Sequence, residues 1–312
     1  MKCSSCHDSF IDRWTLQDAW GLAAAFGDEP VEIHRCQTST GEMARARFPL
    51  RELGDIDSQA NVAARRRRVA ELLTSPDNGL FSRTLVNRLW ARLFGRGIVE
   101  PLDEMMEHEP WNSELLDWLA SELIRQDYDV KQMLRLITTS QAYQMPAVVR
   151  TQPDESESYV FRGPEMRWLT AEQFVDSLRL LGQPPAADAS PVRLPERSWQ
   201  QTGSRLMTML GRPTRDVVVS VRVHERTPLL ALELINGSEL EDLTMRSARI
   251  QLQSPDTADA IVTRVYSILL SRRPTSDEQR IAAGILGSPA TQESLNELIW
   301  SLAMLPEFQL VP

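Results

Sequence analysis

Lysine is nearly absent. Of 34 basic side chains only Lys2 and Lys131 are lysines, which leaves 32 arginines, and 43 carboxylates outweigh them to a net charge of −9 at pH 7. A surface of that sign excludes nonspecific nucleic-acid binding, which needs a basic face to displace counterions from phosphates. Arginine as the main cation suits fixed, forked ion pairs with carboxylates. No run of about 18 apolar residues occurs, so the sequence predicts no membrane-spanning helix. The G-x-S-x-G, H-E-x-x-H and P-loop patterns are also missing, so no named catalytic reaction is predicted and the question of enzymatic activity stays open. Cysteine and histidine are scarce, with three and four copies.

That scarcity gives weight to the one place where they cluster, the CSSCH at 3–7. C-x-x-C-H is the attachment pattern for c-type haem. Two thiols at that spacing, Cys3 and Cys6, can form thioethers with the haem vinyl groups, and the adjoining His7 can ligate the iron axially. With this composition the pattern arises by chance in roughly a few chains per ten thousand. The cofactor reading is therefore haem c on Cys3, Cys6 and His7. Three other readings stay open: a disulfide or redox pair, half of a zinc site, and no role at all. The zinc reading needs Cys36 and His34 to complete its ligands; otherwise Cys36 is an odd cysteine left over. A sixth iron ligand is not identified. His34 is the nearest other histidine, Met43 the nearest methionine after the initiator, and His108 and His224 are further candidates. Each also has an ordinary surface or core reading.

Covalent haem attachment is extracytoplasmic, whereas Met1 is followed almost at once by the motif, with no signal peptide between. The expectation is a truncated or mis-started product, the C-terminal part of a longer exported protein. Cys3 would also lie at a terminus that frays unless it is packed.

A length of 312 residues allows one large domain or two smaller ones. Hydrophobic content of 42% and charged content of 25% are ordinary for a globular protein. The organising stretch is 82–143. Leu85, Leu89 and Leu93 recur every four residues, as do Val86, Trp90 and Phe94, which predicts a helix with a wide apolar stripe. Gly95 and Gly97 supply its stop. A second helix opens near Asn112 with Leu115, Leu116, Leu119, Leu123 and Ile124 on its stripe. A third opens at Asp129, which with Gln132 resembles a capping box, and carries Val130, Met133, Leu134 and Ile137.

Elsewhere the pattern predicts helices over 14–26 and 58–73, with an extended connection between them and the turn SPDNG after the second. Thr170 with Gln173 and Thr275 with Glu278 read as capping boxes. Residues 228–236 read as a short helix, Ser254-Pro255 as a helix start, and Thr291 as the start of the last helix. Residues 182–215 read as a surface excursion and 217–223 as a strand. The predicted fold is mainly α, with orthogonal or bundle-like packing of many helices, long connecting loops and at most a minor β element.

Other constellations point to structure first. The arginine run at 65–68 reads as a solvated helix face. Asp103, Glu104, Glu107 and Glu109 crowd one loop with His108, which suggests either a solvated turn or an acid/base site. Asn87, Arg88, Arg96 and Asp103 read as a buried polar network that locks the turn after Gly95.

The segments SRTLVNRLWARLFGRGIVEPLDEM, ELLDWLA and DVKQMLRLITTSQAY resemble the C-terminal domain of the large planctomycete cytochrome-associated proteins. That domain is the domain of unknown function 1553, also called planctomycete surface domain 1. TPLLALELINGSEL, LSRRPTSDEQ and NELIWSLAMLPEFQLV are similar to its later blocks. CSSCHDSFIDRWTLQDAWGLAAAF is similar to the end of the preceding domain, numbered 1549. The resemblance implies a boundary near residue 57, with a 1549-like tail over 1–57 and a helical 1553-like domain over 58–312. Several family members carry CHDH, where this chain has Ser9 in place of the second histidine. No activity is established for the family, and the resemblance implies a periplasmic or cell-surface setting. Three functional readings follow: electron transfer with a redox partner, a noncatalytic helical surface domain, and a part in processing cell-surface polysaccharide. The third needs two carboxylates facing across a cleft.

Overall fold

The computed structural model describes residues 3–10, 13–149, 159–182, 203–214, 219, 222, 227–253 and 256–311. The chain divides into two compact units, Met1–Glu165 and Met166–Pro312. The border implied by the resemblance, near residue 57, falls inside the first unit. The architecture is mainly α, with two small two-stranded sheets among the described residues.

In the first unit a 3-10 turn, Cys3–Ser5, precedes α1 (Leu16–Ala24). Thr15 and Asp18 close a reciprocal capping box at the start of α1, each side chain bonding the other's backbone N–H. The segment expected to be a plain extended connection holds a hairpin, β1 (Glu32–Arg35) and β2 (Thr38–Met43). Its loop lacks the Asn-Gly or Gly-Gly signal that marks such turns. Cys36 takes the left-handed conformation there instead, with φ 54°.

Next come α2 (Val62–Leu73), α3 (Gly79–Phe94), α4 (Ser113–Arg125) and α5 (Val130–Thr138). Asn78, from the SPDNG turn, makes the α2–α3 joint. Its Oδ1 accepts from Phe81 N–H, while its Nδ2 donates to the carbonyls of Leu72 and Leu73, 3.1 Å each. Those carbonyls belong to the last turn of α2, which has no further helical donors. Gly95 ends α3 at φ 82°, as its sequence position predicts. Asn112 and Asp129 cap α4 and α5, although Asp129 only accepts, from Lys131 and Gln132 N–H.

Val86, Trp90 and Phe94 of α3 meet Leu116, Leu119 and Leu123 of α4 and Met133 and Ile137 of α5 in one core. Each of these side chains is at most 6% exposed. Burying a side chain of this size contributes about 1.5–3 kcal/mol, which is why three amphipathic helices cannot stand apart. A second, smaller core joins Ala24, Phe48, Ile56, Val69 and Leu72.

The arginine run at 65–68 is not simply a solvated face. Arg65 donates to Gly27 O at 2.6 Å and to Ala60 O at 2.5 Å, Arg66 to Phe26 O at 2.8 Å, and Arg68 to Asp55 O at 3.2 Å. Two of these acceptors lie just past the end of α1, where carbonyls lack helical partners and the dipole favours a cation. Sequence spacing shows which face these arginines occupy, but not which carbonyls it will meet.

In the second unit β3 (Arg167–Trp168) pairs antiparallel with β4 (Leu310–Val311). Between them run α6 (Ala171–Leu181), α7 (Arg205–Met209), α8 (Pro228–Asn236), α9 (Ser238–Gln251), α10 (Ala258–Leu269), α11 (Ser276–Leu286), α12 (Gln292–Ala303) and α13 (Pro306–Gln309). Helices α6, α8, α11 and α12 match the sequence reading, including the capping boxes at Thr170 and Thr275. Thr257 caps α10, while the start expected at Ser254-Pro255 lies outside the described residues. Most of the strand expected over 217–223 lies outside them as well.

Helix α9 is the clearest omission from the sequence reading. Its buried face holds Leu240, Thr244, Ser247, Ala248 and Gln251, so the apolar stripe that periodicity looks for is mostly polar. The polar groups have fixed work in the core. Ser247 Oγ shares its proton between Leu243 O at 2.9 Å and Leu178 O at 3.2 Å, and Gln251 Nε2 donates to Leu181 O at 2.6 Å, satisfying the last carbonyl of α6.

Candidate functional site

The CSSCH motif is gripped by the start of α1. Ser4 is fully buried and its Oγ donates to Trp14 O at 3.3 Å, and Ser9 N–H donates to the same carbonyl at 2.9 Å. Leu16 N–H, the first of α1, donates to Asp8 Oδ1 at 2.8 Å, and the Trp20 indole donates to Ser5 O at 3.2 Å. The fraying expected of a terminal motif is therefore opposed by four hydrogen bonds into α1 and the residues just before it.

His7 is half-buried, and its Nδ1 lies 2.7 Å from the carbonyl oxygen of Asp8. A carbonyl only accepts, so Nδ1 carries the proton and Nε2 of the neutral ring keeps its lone pair. This is the tautomer a metal-ligating histidine adopts, with a backbone carbonyl fixing the ring from behind. The Phe10 ring, 89% exposed, lies against His7 with centroids 4.7 Å apart and the planes tilted by 32°. Cys6 is a free, half-buried thiol. The side chain of Cys3 lies outside what the structure describes. The donor set that can be seen fits haem c: Cys6 would carry a thioether and His7 Nε2 would face the iron.

The other candidate ligands are scattered. His34 sits in β1 with its ring 5.8 Å from that of Trp20 and its Nε2 3.8 Å from Glu32. Met43 ends β2 and is 53% exposed, Cys36 is exposed in the hairpin loop, and His224 lies outside the described residues. His108 Nε2 is bonded to Glu104 at 2.8 Å. Among the described residues no three His, Cys, Asp or Glu side chains converge in a metal-ligating group.

The turn after α3 corrects the sequence reading of its polar residues. Asn87 alone forms the buried lock. It is 0% exposed, its Oδ1 accepts from Ile98 N–H (2.6 Å) and Val99 N–H (3.0 Å), and its Nδ2 donates to Val99 O (2.9 Å). Arg88 and Asp103 pair at 2.8 Å on the surface, each more than 40% exposed. Arg96 turns to a residue that no local pattern points to, Glu165, at 2.8 Å and 5% side-chain exposure, and lies over the Tyr159 ring. In the acidic loop Asp103 and Glu104 are engaged by Arg88 and His108, and Glu107 and Glu109 are exposed.

A family model described as PSD1, protein of unknown function (DUF1553), matches residues 65–286. The chain belongs to that family. The match covers α3 to α5 with their shared core and extends into α11 of the second unit. The CSSCH motif and α1 precede the matched part of this DUF1553 protein. Neither the curated proteins nor the solved structures include one that matches the chain. No helix among the described residues is long and apolar enough to cross a membrane.

Proposed function

We propose that this DUF1553 protein is the C-terminal portion of an exported, c-type-haem-associated protein that serves in electron transfer with a redox partner at the periplasm or cell surface. Cys3 and Cys6 are the thioether positions and His7 is an axial ligand. The observation that carries the reading is the Nδ1 contact of His7 with Asp8 O, which leaves Nε2 as the ligating atom beside a free Cys6. Bound haem would supply one-electron chemistry; the chain's part is to hold His7 in one tautomer and to fix the motif's backbone on α1.

The test is export of the chain behind a signal peptide, together with a cytochrome c maturation system. Mass and visible spectrum are compared with a Cys3→Ser/Cys6→Ser control. The expected result is a haem-sized mass gain and a Soret band, both lost in the control. An unmodified mass with no Soret band refutes the proposal. A second reading, a noncatalytic helical surface domain, draws on the bonds from Ser4, Ser9 and Asp8, which give the motif a structural task without any cofactor.

A further inference from the structure

We infer that the cleft between α1 and the β1–β2 hairpin binds a small zwitterion, a molecule with one carboxylate and one ammonium on a short apolar body, such as a free amino acid or a dipeptide. The cleft has a volume of about 390 Å³, within the range of small-molecule sites. Its floor is apolar, formed by Leu16 and Ile33, each 5% exposed. The strand alternation that buries Ile33 puts Arg35 on the same face of β1.

The polar groups around that floor divide into two sets. Asp8 is engaged through Oδ1 by the first N–H of α1. The Thr15 hydroxyl belongs to the capping box with Asp18, and the Thr40 hydroxyl donates to Ile33 O at 2.6 Å. Arg35, Glu42 and Gln17 remain, and none of their side chains makes a hydrogen bond or ion pair with a described residue. The unpaired Arg35 guanidinium thus shares the cleft with the unpaired Glu42 carboxylate and with Asp8, whose charge meets only a backbone N–H, so the anionic side that would receive an ammonium has two carboxylates. A forked guanidinium matches a ligand carboxylate. Glu42 matches an ammonium, and the Gln17 amide can donate or accept between them. A ligand of single charge would leave one of the two groups without a partner. The inference uses none of the haem ligands.

The experiment is isothermal titration of the full chain with L-leucine and with glycyl-L-leucine. N-acetyl-glycyl-L-leucine and glycyl-L-leucinamide are the controls, lacking the ammonium and the carboxylate. The expected result is saturable binding of a zwitterion, weakened at least tenfold by loss of either charge. Arg35→Ala and Glu42→Gln should each weaken it at least tenfold, and Arg35→Ala should abolish discrimination against the amide. Both positions are exposed, so circular dichroism should show an unchanged fold. Absence of saturable binding for both zwitterions overturns the inference. So does binding that survives both variants, or that treats the acetylated and amidated controls like the parent.

Discussion

Replacing Asn87 with alanine tests how the central helices are tied to the turn that follows them. The side chain is 0% exposed and serves three backbone groups, the N–H of Ile98, the N–H of Val99 and the C=O of Val99. Alanine removes all three partners and leaves a small void. An uncompensated buried donor or acceptor costs about 1–3 kcal/mol. Relaxation and water recover part of that for three adjacent groups, so the expected loss is about 3–6 kcal/mol. Against a total stability of about 5–15 kcal/mol for a domain, this is a large fraction. The assay is urea unfolding followed by tryptophan fluorescence. Trp111 reports on this turn directly, because its indole donates to Gly97 O at 3.1 Å. The midpoint should fall with little change in slope, since the surface exposed on unfolding is nearly unchanged. A loss below about 1 kcal/mol would refute the reasoning, because it would mean the turn holds its shape without those bonds.

Gly97→Ala should act on the same turn by a different route. A Cβ there would stand 2.4 Å from the Val99 carbonyl oxygen and 2.6 Å from Leu102, and backbone cannot yield as a flexible side chain would; the same urea midpoint should fall, and an unchanged midpoint counts against the close packing described. In the second unit, hydrogen bonds from Arg272 and from Thr275 N–H hold the Glu278 carboxyl down to about 2 from its ordinary 4.5. A depressed folded value means stability present above pH 4.5 and lost as pH falls toward 2. Arg272→Gln should therefore lower the thermal midpoint at neutral pH and flatten its decline over that acid window; parallel acid profiles in the two proteins would contradict the assignment.

The α class, the starts of six helices and the central three-helix core are legible in the sequence alone. Those features rest on local rules: side chains four residues apart share a helix face, and Asn, Asp or Thr before a stripe binds the first free N–H groups. Asn112, Asp129, Thr170, Thr275 and Thr291 were all readable in this way. The CSSCH motif can be picked out as a pattern because it is contiguous, and its role belongs to the proposal. Tertiary structure decided what depends on partners distant in sequence. Helix α9 was hidden because its buried Ser247 and Gln251 bond carbonyls about 70 residues away, so polarity there does not mean exposure. Arg96 finds Glu165 across 69 residues, and Arg65 finds Gly27 across 38. The tautomer of His7 depends on the carbonyl the chain folds against its ring, and that carbonyl is held in place by the first N–H of α1 binding the same residue's carboxylate. Periodicity can assign a residue to a face, but only the folded chain determines which unsatisfied group that face meets.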